Sequence, residues 1–264
     1  MDQNELIDRS TKEVMQRLNL KSDNPDKKPG DPVPAAPMHK MSSAELAGYI
    51  DHTLLKPEAV VAQFEKLCDE AVRYKFKSVC VNSSWVPFVA KRLRGTGVKI
   101  CSVIGFPLGE MDTRSKAFEA RNAISNGAEE LDMVINVGAL KSGNLKLVEE
   151  DIRAITRACR KTTILKVILE TGLLTDAEKI IACEISKKAG ADFVKTSTGF
   201  SGTGATVHDI ALMRRIVGPA MGVKASGGIR NFDQAVALIN AGATRLGCGA
   251  SVDVITGAES KSNY

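Results

Sequence analysis

Asp192-Phe193-Val194-Lys195-Thr196-Ser197-Thr198-Gly199 and Gly222-Val223-Lys224-Ala225-Ser226-Gly227-Gly228 each run from a short apolar segment into a lysine, then into small polar residues and glycine. A lysine at the inward end of a buried strand is costly, because desolvation disfavours its charged form and a second ammonium nearby repels it. Taken singly, either lysine reads equally as a side chain snorkelling from a strand end into water. Their matched settings point instead to a shared site, and to strands that deliver side chains to one face.

Working outward from these two segments, apolar runs rich in β-branched residues recur at Tyr49–Leu54, Ser78–Asn82, Lys99–Ile104, Glu130–Asn136, Ile164–Glu170, Phe193–Thr196, Val223–Ser226 and Thr244–Cys248. Amphipathic stretches separate them, among them Ala59–Tyr74, Thr113–Asn126, Leu147–Arg160, Asp176–Ala189, Thr206–Val217 and Asn231–Ala241. Eight strands alternating with helices define a (β/α)8 TIM barrel. A doubly wound sheet is the alternative, and the polar residues at the strand ends favour the barrel, whose eight strands open onto one face. Ser42 and Glu45 suit a capping box for a short helix ahead of the first strand.

The chain divides near residue 41. Residues 21–41 carry five prolines within 21–40 and read as a flexible linker. Ahead of it, Asp2 and Glu5 form a capping box for an amphipathic helix over residues 1–20, with Leu6, Ile7, Val14, Met15 and Leu18 on one face. Such a helix packs on its own barrel or on a partner subunit, or serves as a docking peptide. Residues 42–264 form the barrel domain.

Composition narrows the function. The net charge of +5 is spread along the chain without basic runs or aromatic interleaving, so nucleic-acid binding has no support, whereas a small anionic substrate is compatible. Six cysteines without a Cys-x-x-Cys pair, no signal peptide and no long apolar span predict a reducing, cytoplasmic setting and no membrane association. His39, His52 and His208 lack ligand spacing, so neither a metal nor another cofactor is expected.

Asp51, Asn82, Asp132, Asn136, Lys166, Glu170, Lys195, Thr196, Lys224 and Ser226 are candidates to project from strand ends into one pocket. Strand alternation puts Asp132 and Asn136 on the same face, with Asp132 near both lysines. Two ammonium groups about 5 Å apart repel by roughly 3 kcal/mol at an effective dielectric of about 20, which favours a neutral, nucleophilic amine. The glycine turns Gly199–Gly204, Ser226–Arg230 and Gly247–Ser251 follow the last three strands, where backbone N–H groups can converge on a phosphate. Gly199, Gly227, Gly228, Gly247 and Gly249, with Asp51, Thr196 and Ser226, are the expected substrate contacts.

From about Ala44 to Gly257 the chain resembles the class I, Schiff-base-forming deoxyribose-phosphate aldolases. The resemblance lies in Ile50-Asp51-His52-Thr53-Leu54-Leu55-Lys56-Pro57, Val103-Ile104-Gly105-Phe106-Pro107-Leu108-Gly109, the run from Asp132 to Gly143, and the two lysine motifs. It implies that Lys195 is the Schiff-base lysine, that Lys224 and Asp132 are its catalytic partners, and that the barrel works without metal. The implied reaction is reversible cleavage of 2-deoxyribose 5-phosphate to acetaldehyde and glyceraldehyde 3-phosphate, in a homo-oligomer. Phe200 stands where some members have lysine, and Gly249-Ala250 where many have paired hydroxyl residues, which bears on phosphate affinity. A metal-dependent aldolase lacks clustered ligands here, a phosphate-binding isomerase has no need of facing lysines, and an inactive interaction module would not need the intact lysines and aspartate. The N-terminal helix and linker are similar to peptides that direct enzymes into bacterial microcompartments, which implies shell proteins as partners of residues 1–20. Cys80 near the pocket reads as a buried apolar cysteine.

Overall fold

The computed structural model describes residues 41–159 and 161–257. The expected helix over residues 1–20, the linker apart from Met41, Arg160 and residues 258–264 lie outside the described residues.

Eight parallel strands, β1 (Ile50–Leu54), β2 (Ser78–Val81), β3 (Lys99–Ile104), β4 (Glu130–Val134), β5 (Ile164–Ile168), β6 (Phe193–Lys195), β7 (Gly222–Ser226) and β8 (Arg245–Cys248), pair in chain order, and β8 closes on β1. The helices are α1 (Ser43–Ala47), α2 (Val61–Tyr74), α3 (Val86–Arg92), α4 (Thr113–Ser125), α5 (Val137–Lys141), α6 (Leu145–Ala158), α7 (Asp176–Lys188), α8 (Val207–Val217), α9 (Phe232–Asn240) and α10 (Ser251–Thr256). This is the expected TIM barrel. The capping box that opens α1 is formed as read from the sequence, with Ser42 Oγ accepting from the Glu45 N–H and the Glu45 carboxylate accepting from the Ser42 N–H.

Strand alternation divides the interior into two environments. Side chains pointing outward, such as Val79, Leu131, Met133, Leu165, Val167, Val194, Val223 and Leu246, join the large core between strands and helices. Inside the barrel, Leu55, Cys80, Cys101 and Val103 form a smaller apolar cluster with Phe106 packed against it. Inward positions also hold the charged side chains Asp51, Glu130, Asp132, Lys166, Lys195, Lys224 and Arg245.

The strands are shorter than their apolar runs. β4 stops at Val134, and Asn136 instead caps α5 by accepting from the Ala139 N–H. β5 stops at Ile168, and Glu170 takes a left-handed conformation with φ of 59°. Both residues leave the ladder because the chain has to turn out of the sheet toward the next helix. The helices α3, α5 and α10 had no clear sequence signal. Among the described residues no helix is long and apolar enough to cross a membrane.

One buried ion pair ties the helical layer to the top of β4. Lys116 of α4 donates to Asp151 of α6 at 2.6 Å and to the Val134 carbonyl at 3.1 Å. Both side chains are buried, and burial pushes the Asp151 carboxyl above its usual range against the pull of Lys116. Removing one partner of a buried pair strands the other. Lys116→Met is expected to lower stability by about 3 kcal/mol or more in a urea titration, and Asp151→Leu added to it should recover part of the loss. A neutral single substitution would show that the pair is not structural.

Candidate active site

Register brings the two lysines together. β6 and β7 pair with Lys195 beside Lys224, β4 and β5 pair with Asp132 beside Lys166, and β7 and β8 pair with Lys224 beside Arg245. Adjacent parallel strands lie about 4.8 Å apart, so these side chains enter the barrel as neighbours.

Asp132 is the centre of the resulting cluster. Its Oδ2 accepts from Lys195 Nζ at 2.7 Å and from Lys224 Nζ at 2.7 Å, while Oδ1 accepts from Lys166 Nζ at 2.9 Å and from Cys101 Sγ at 3.1 Å. All of these side chains are buried. Burial pushes the Asp132 carboxyl up, but Lys166, Lys195 and Lys224 together hold it well below the usual carboxylate range. For Lys224, burial works against the charge and is outweighed by Asp132 and Asp51, so its ammonium is held above the usual lysine range. Bare repulsion between Lys195 and Lys224, as anticipated from the sequence, is therefore an incomplete account. At 2.7 Å and an effective dielectric of about 20, Asp132 attracts each ammonium by about 6 kcal/mol, roughly twice the expected repulsion.

Beneath this pair lies a further ionic layer. Asp51 accepts from Lys224 at 2.5 Å and from Arg245 at 2.7 Å, and Glu130 accepts from Arg245 at 2.9 Å and contacts Lys166 at 2.5 Å. Four cationic side chains thus face three carboxylates. Lys166 meets three carboxylates, Lys224 and Arg245 each bridge two, and Lys195 has Asp132 alone. Lys195 is the amine whose conversion to the neutral form leaves every other pair in place.

Several expected substrate contacts are engaged elsewhere. Both oxygens of Asp51 are taken by Lys224 and Arg245, so Asp51 supports Lys224 from below rather than reaching a substrate. Thr196 Oγ1 donates to the Ser226 carbonyl and accepts from the Ser226 N–H, stitching β6 to β7. Ser226 Oγ donates to the Ser197 carbonyl, and Ser251 Oγ donates to the Cys248 carbonyl. Asn82 donates to the Leu55 carbonyl, and Glu170 accepts from Thr198 Oγ1 and N–H, bracing the loop after β6. Glu130 and Arg245 escaped the sequence reading. Their signal was alternation: each lies two residues from a recognised inward position, Asp132 and Gly247.

The five glycines are brought together. Gly199, Gly227, Gly228, Gly247 and Gly249 line one cavity of about 350 Å³, with Thr203, Arg230 and Ala250. Gly227 and Gly228 have φ of 83° and 74°, a conformation from which backbone N–H groups can converge on an anion. Gly247 also makes room for the site itself, since a Cβ there would lie 3.1 Å from Lys224 Cε and 2.9 Å from Ser226 Cβ. Phe200 stacks edge to face on Phe106 with ring centroids 5.2 Å apart.

Among the described residues, two groups of side chains bring three metal-type ligand atoms together, Cys80 with Cys101 and Asp132, and Asp176 with His208 and Asp209. In each, a lysine already meets the carboxylates: Lys166 and Lys195 on Asp132, Lys179 on Asp176 and Asp209. Cys80 is buried in the inner apolar cluster.

Two buried lysines that share one carboxylate oxygen, near a glycine-lined cavity, are an arrangement suited to amine chemistry on carbonyl substrates. A family profile described as DeoC/LacD family aldolase matches residues 45–255, and the chain belongs to that family. It is 60% identical over 220 residues to the deoxyribose-phosphate aldolase of Streptococcus gordonii, covering 83% of this chain and all of that one. It is 58% identical to the corresponding aldolase of a Geobacillus species, over 83% and 98% of the two chains. The tetrameric deoxyribose phosphate aldolase of Aeropyrum pernix superposes with a TM-score of 0.77 at 36% identity, over 81% of this chain and 91% of that one.

The depressed carboxyls set an acid limit. Asp51 and Asp132 both sit below their unfolded values, so the stability they contribute is complete above about pH 4 and is lost as pH falls through the folded values. Asp51→Asn should therefore cost about 3 kcal/mol at pH 7, with the gap to the unmodified protein closing below about pH 4. Chemical denaturation across that range checks it, and a gap independent of pH would contradict the assignment.

Proposed function

We propose that this protein is a class I aldolase that reversibly cleaves 2-deoxy-D-ribose 5-phosphate to acetaldehyde and D-glyceraldehyde 3-phosphate through a Schiff base on Lys195. The observation that carries the reading is the shared Asp132 oxygen, 2.7 Å from both Lys195 and Lys224, set beside the glycine-lined cavity. Membership of the aldolase family and relatives at 56–60% identity that bear the deoxyribose-phosphate aldolase name support it.

Neutral Lys195 attacks the aldehyde carbon of the open-chain sugar, and the carbinolamine loses water to give an imine. The protonated imine restores the positive charge beside Asp132 and acts as an electron sink. A base removes the C3 hydroxyl proton, the C2–C3 bond breaks, glyceraldehyde 3-phosphate leaves and an enamine stays on Lys195. Protonation at C2 and hydrolysis then release acetaldehyde and the free amine. Asp132, held ionised by three lysines, is a weak base on its own and moves protons through a water, which also delivers the proton that expels water from the carbinolamine, while Lys224 stays cationic and stabilises the departing oxygen. The phosphate lies against the turns of Gly199, Gly227, Gly228 and Gly249, with Arg230 at the cavity wall.

Borohydride added during turnover of 2-deoxyribose 5-phosphate should fix a reduced adduct on Lys195, seen by intact mass and peptide mapping. A folded protein that yields no adduct would refute the Schiff-base reading. Lys224→Leu leaves the Asp132 oxygen to Lys195 alone, so turnover should fall by about tenfold or more and the pH optimum should rise by about one unit. An unchanged pH profile counts against this role for Lys224.

The enzyme is also proposed to act as a homo-oligomer in the cytoplasm, within a bacterial microcompartment. Support for encapsulation comes from the amphipathic pattern of residues 1–20 and the proline-rich stretch behind it, and from the reactivity of acetaldehyde. Deleting residues 1–40 should spare catalysis and abolish co-sedimentation with shells. Continued co-sedimentation of the truncated enzyme would sink the targeting idea.

A further inference from the structure

His52 points away from the ionic centre, toward the layer between β1 and the helices, and the reaction above makes no use of it. Its Nδ1 lies 2.9 Å from Ser251 Oγ, and its Nε2 lies 2.9 Å from Glu70 Oε2 on α2. Ser251 is fully buried, begins α10 and follows Cys248, Gly249 and Ala250, which line the glycine cavity. Its hydroxyl donates to the Cys248 carbonyl at 2.9 Å.

Ser251 has one hydrogen, and it goes to the Cys248 carbonyl, so the ring completes a chain from Glu70 on α2 through Ser251 to the turn after β8. Glu70 is held below its usual carboxylate range, first by its hydrogen bond with His52. We infer that His52 is a positioning residue for the anion end of the cavity, holding the turn after β8 through Ser251 and the Cys248 carbonyl. The inference rests on the phosphosugar reading given above.

The ring is packed as well as hydrogen-bonded. From α2 come Glu70 and, 3.7 Å behind it, Lys66; beyond α2 lies the Phe76 ring at 5.0 Å, itself against Tyr74, over which Arg73 sits. From β8 comes Cys248, the register partner of His52, and from α10 comes uncharged Ser251.

The test separates binding of the anion from chemistry at Lys195. Ser251→Ala and His52→Leu should raise KM for 2-deoxyribose 5-phosphate, and the Kd of inorganic phosphate in calorimetry, by about five- to tenfold, the worth of one hydrogen bond. The rise should fall on KM rather than kcat, and KM for unphosphorylated 2-deoxyribose should not move. Glu70→Gln keeps a hydrogen-bond partner for Nε2 and so keeps the chain, and should bind inorganic phosphate about as the unmodified enzyme does. Equal shifts for both sugars, or unchanged phosphate binding in Ser251→Ala and His52→Leu, would overturn the inference. An unmodified enzyme that fails to cleave the sugar would overturn the aldolase reading alone, and the phosphate titrations would still decide the part played by His52.

Discussion

A single buried carboxylate organises the centre of this barrel. Asp132 meets Lys166, Lys195 and Lys224 within 2.9 Å, and without it three ammonium groups would share a water-poor interior. Burying even one unpaired charge costs several kcal/mol, so the three lysines and the aspartate are tolerable only as a set. The second layer, Asp51 and Glu130 with Arg245, extends the same logic downward: with Asp132 it gives Lys166 three carboxylates and Lys224 two, and leaves Lys195 with one. That asymmetry sets Lys195 apart from the other two lysines, which are as deeply buried.

Barrel closure is what makes the cluster possible. The seven charged side chains of the Asp132 cluster and the Arg245 layer below it come from six strands, β1, β4, β5, β6, β7 and β8, and β1 reaches β8 only because the sheet closes. An open sheet would separate Asp51 from Arg245 and expose the edge. The outward faces of the same strands are apolar and seat the helices, so the fold can hold a dense ionic interior without weakening the main core, which lies in a different layer.

The cavity beside the lysines depends on the absence of side chains as much as on their presence. Gly247 leaves the stem of Lys224 its space, and Gly204 lets the loop after β6 approach the Gly227 carbonyl, where a Cβ would come within 2.3 Å. The hydroxyls of Thr196, Ser226 and Ser251 nearby donate to backbone carbonyls. His52, Ser251 and Glu70 connect the turn after β8 to the outer layer of the protein.

The alternation of apolar runs with amphipathic stretches determined the barrel, because each strand needs a helix to cover its outer face and each helix advertises that face at a period of 3.6 residues. The lysine motifs and the glycine turns were equally legible, being local: a lysine at a strand end and a glycine at a positive φ are properties of a few consecutive residues. Only the tertiary structure decided which polar residues the site includes. Asn136 and Glu170 continued their strands by pattern but leave the sheet where the ladder ends, and the Thr196 hydroxyl bonds the Ser226 backbone across two strands. Arg245 with Glu130 and His52 with Ser251 are separated by more than a hundred residues in the chain. Pairings at that distance are set by barrel closure and register, and no local pattern encodes them.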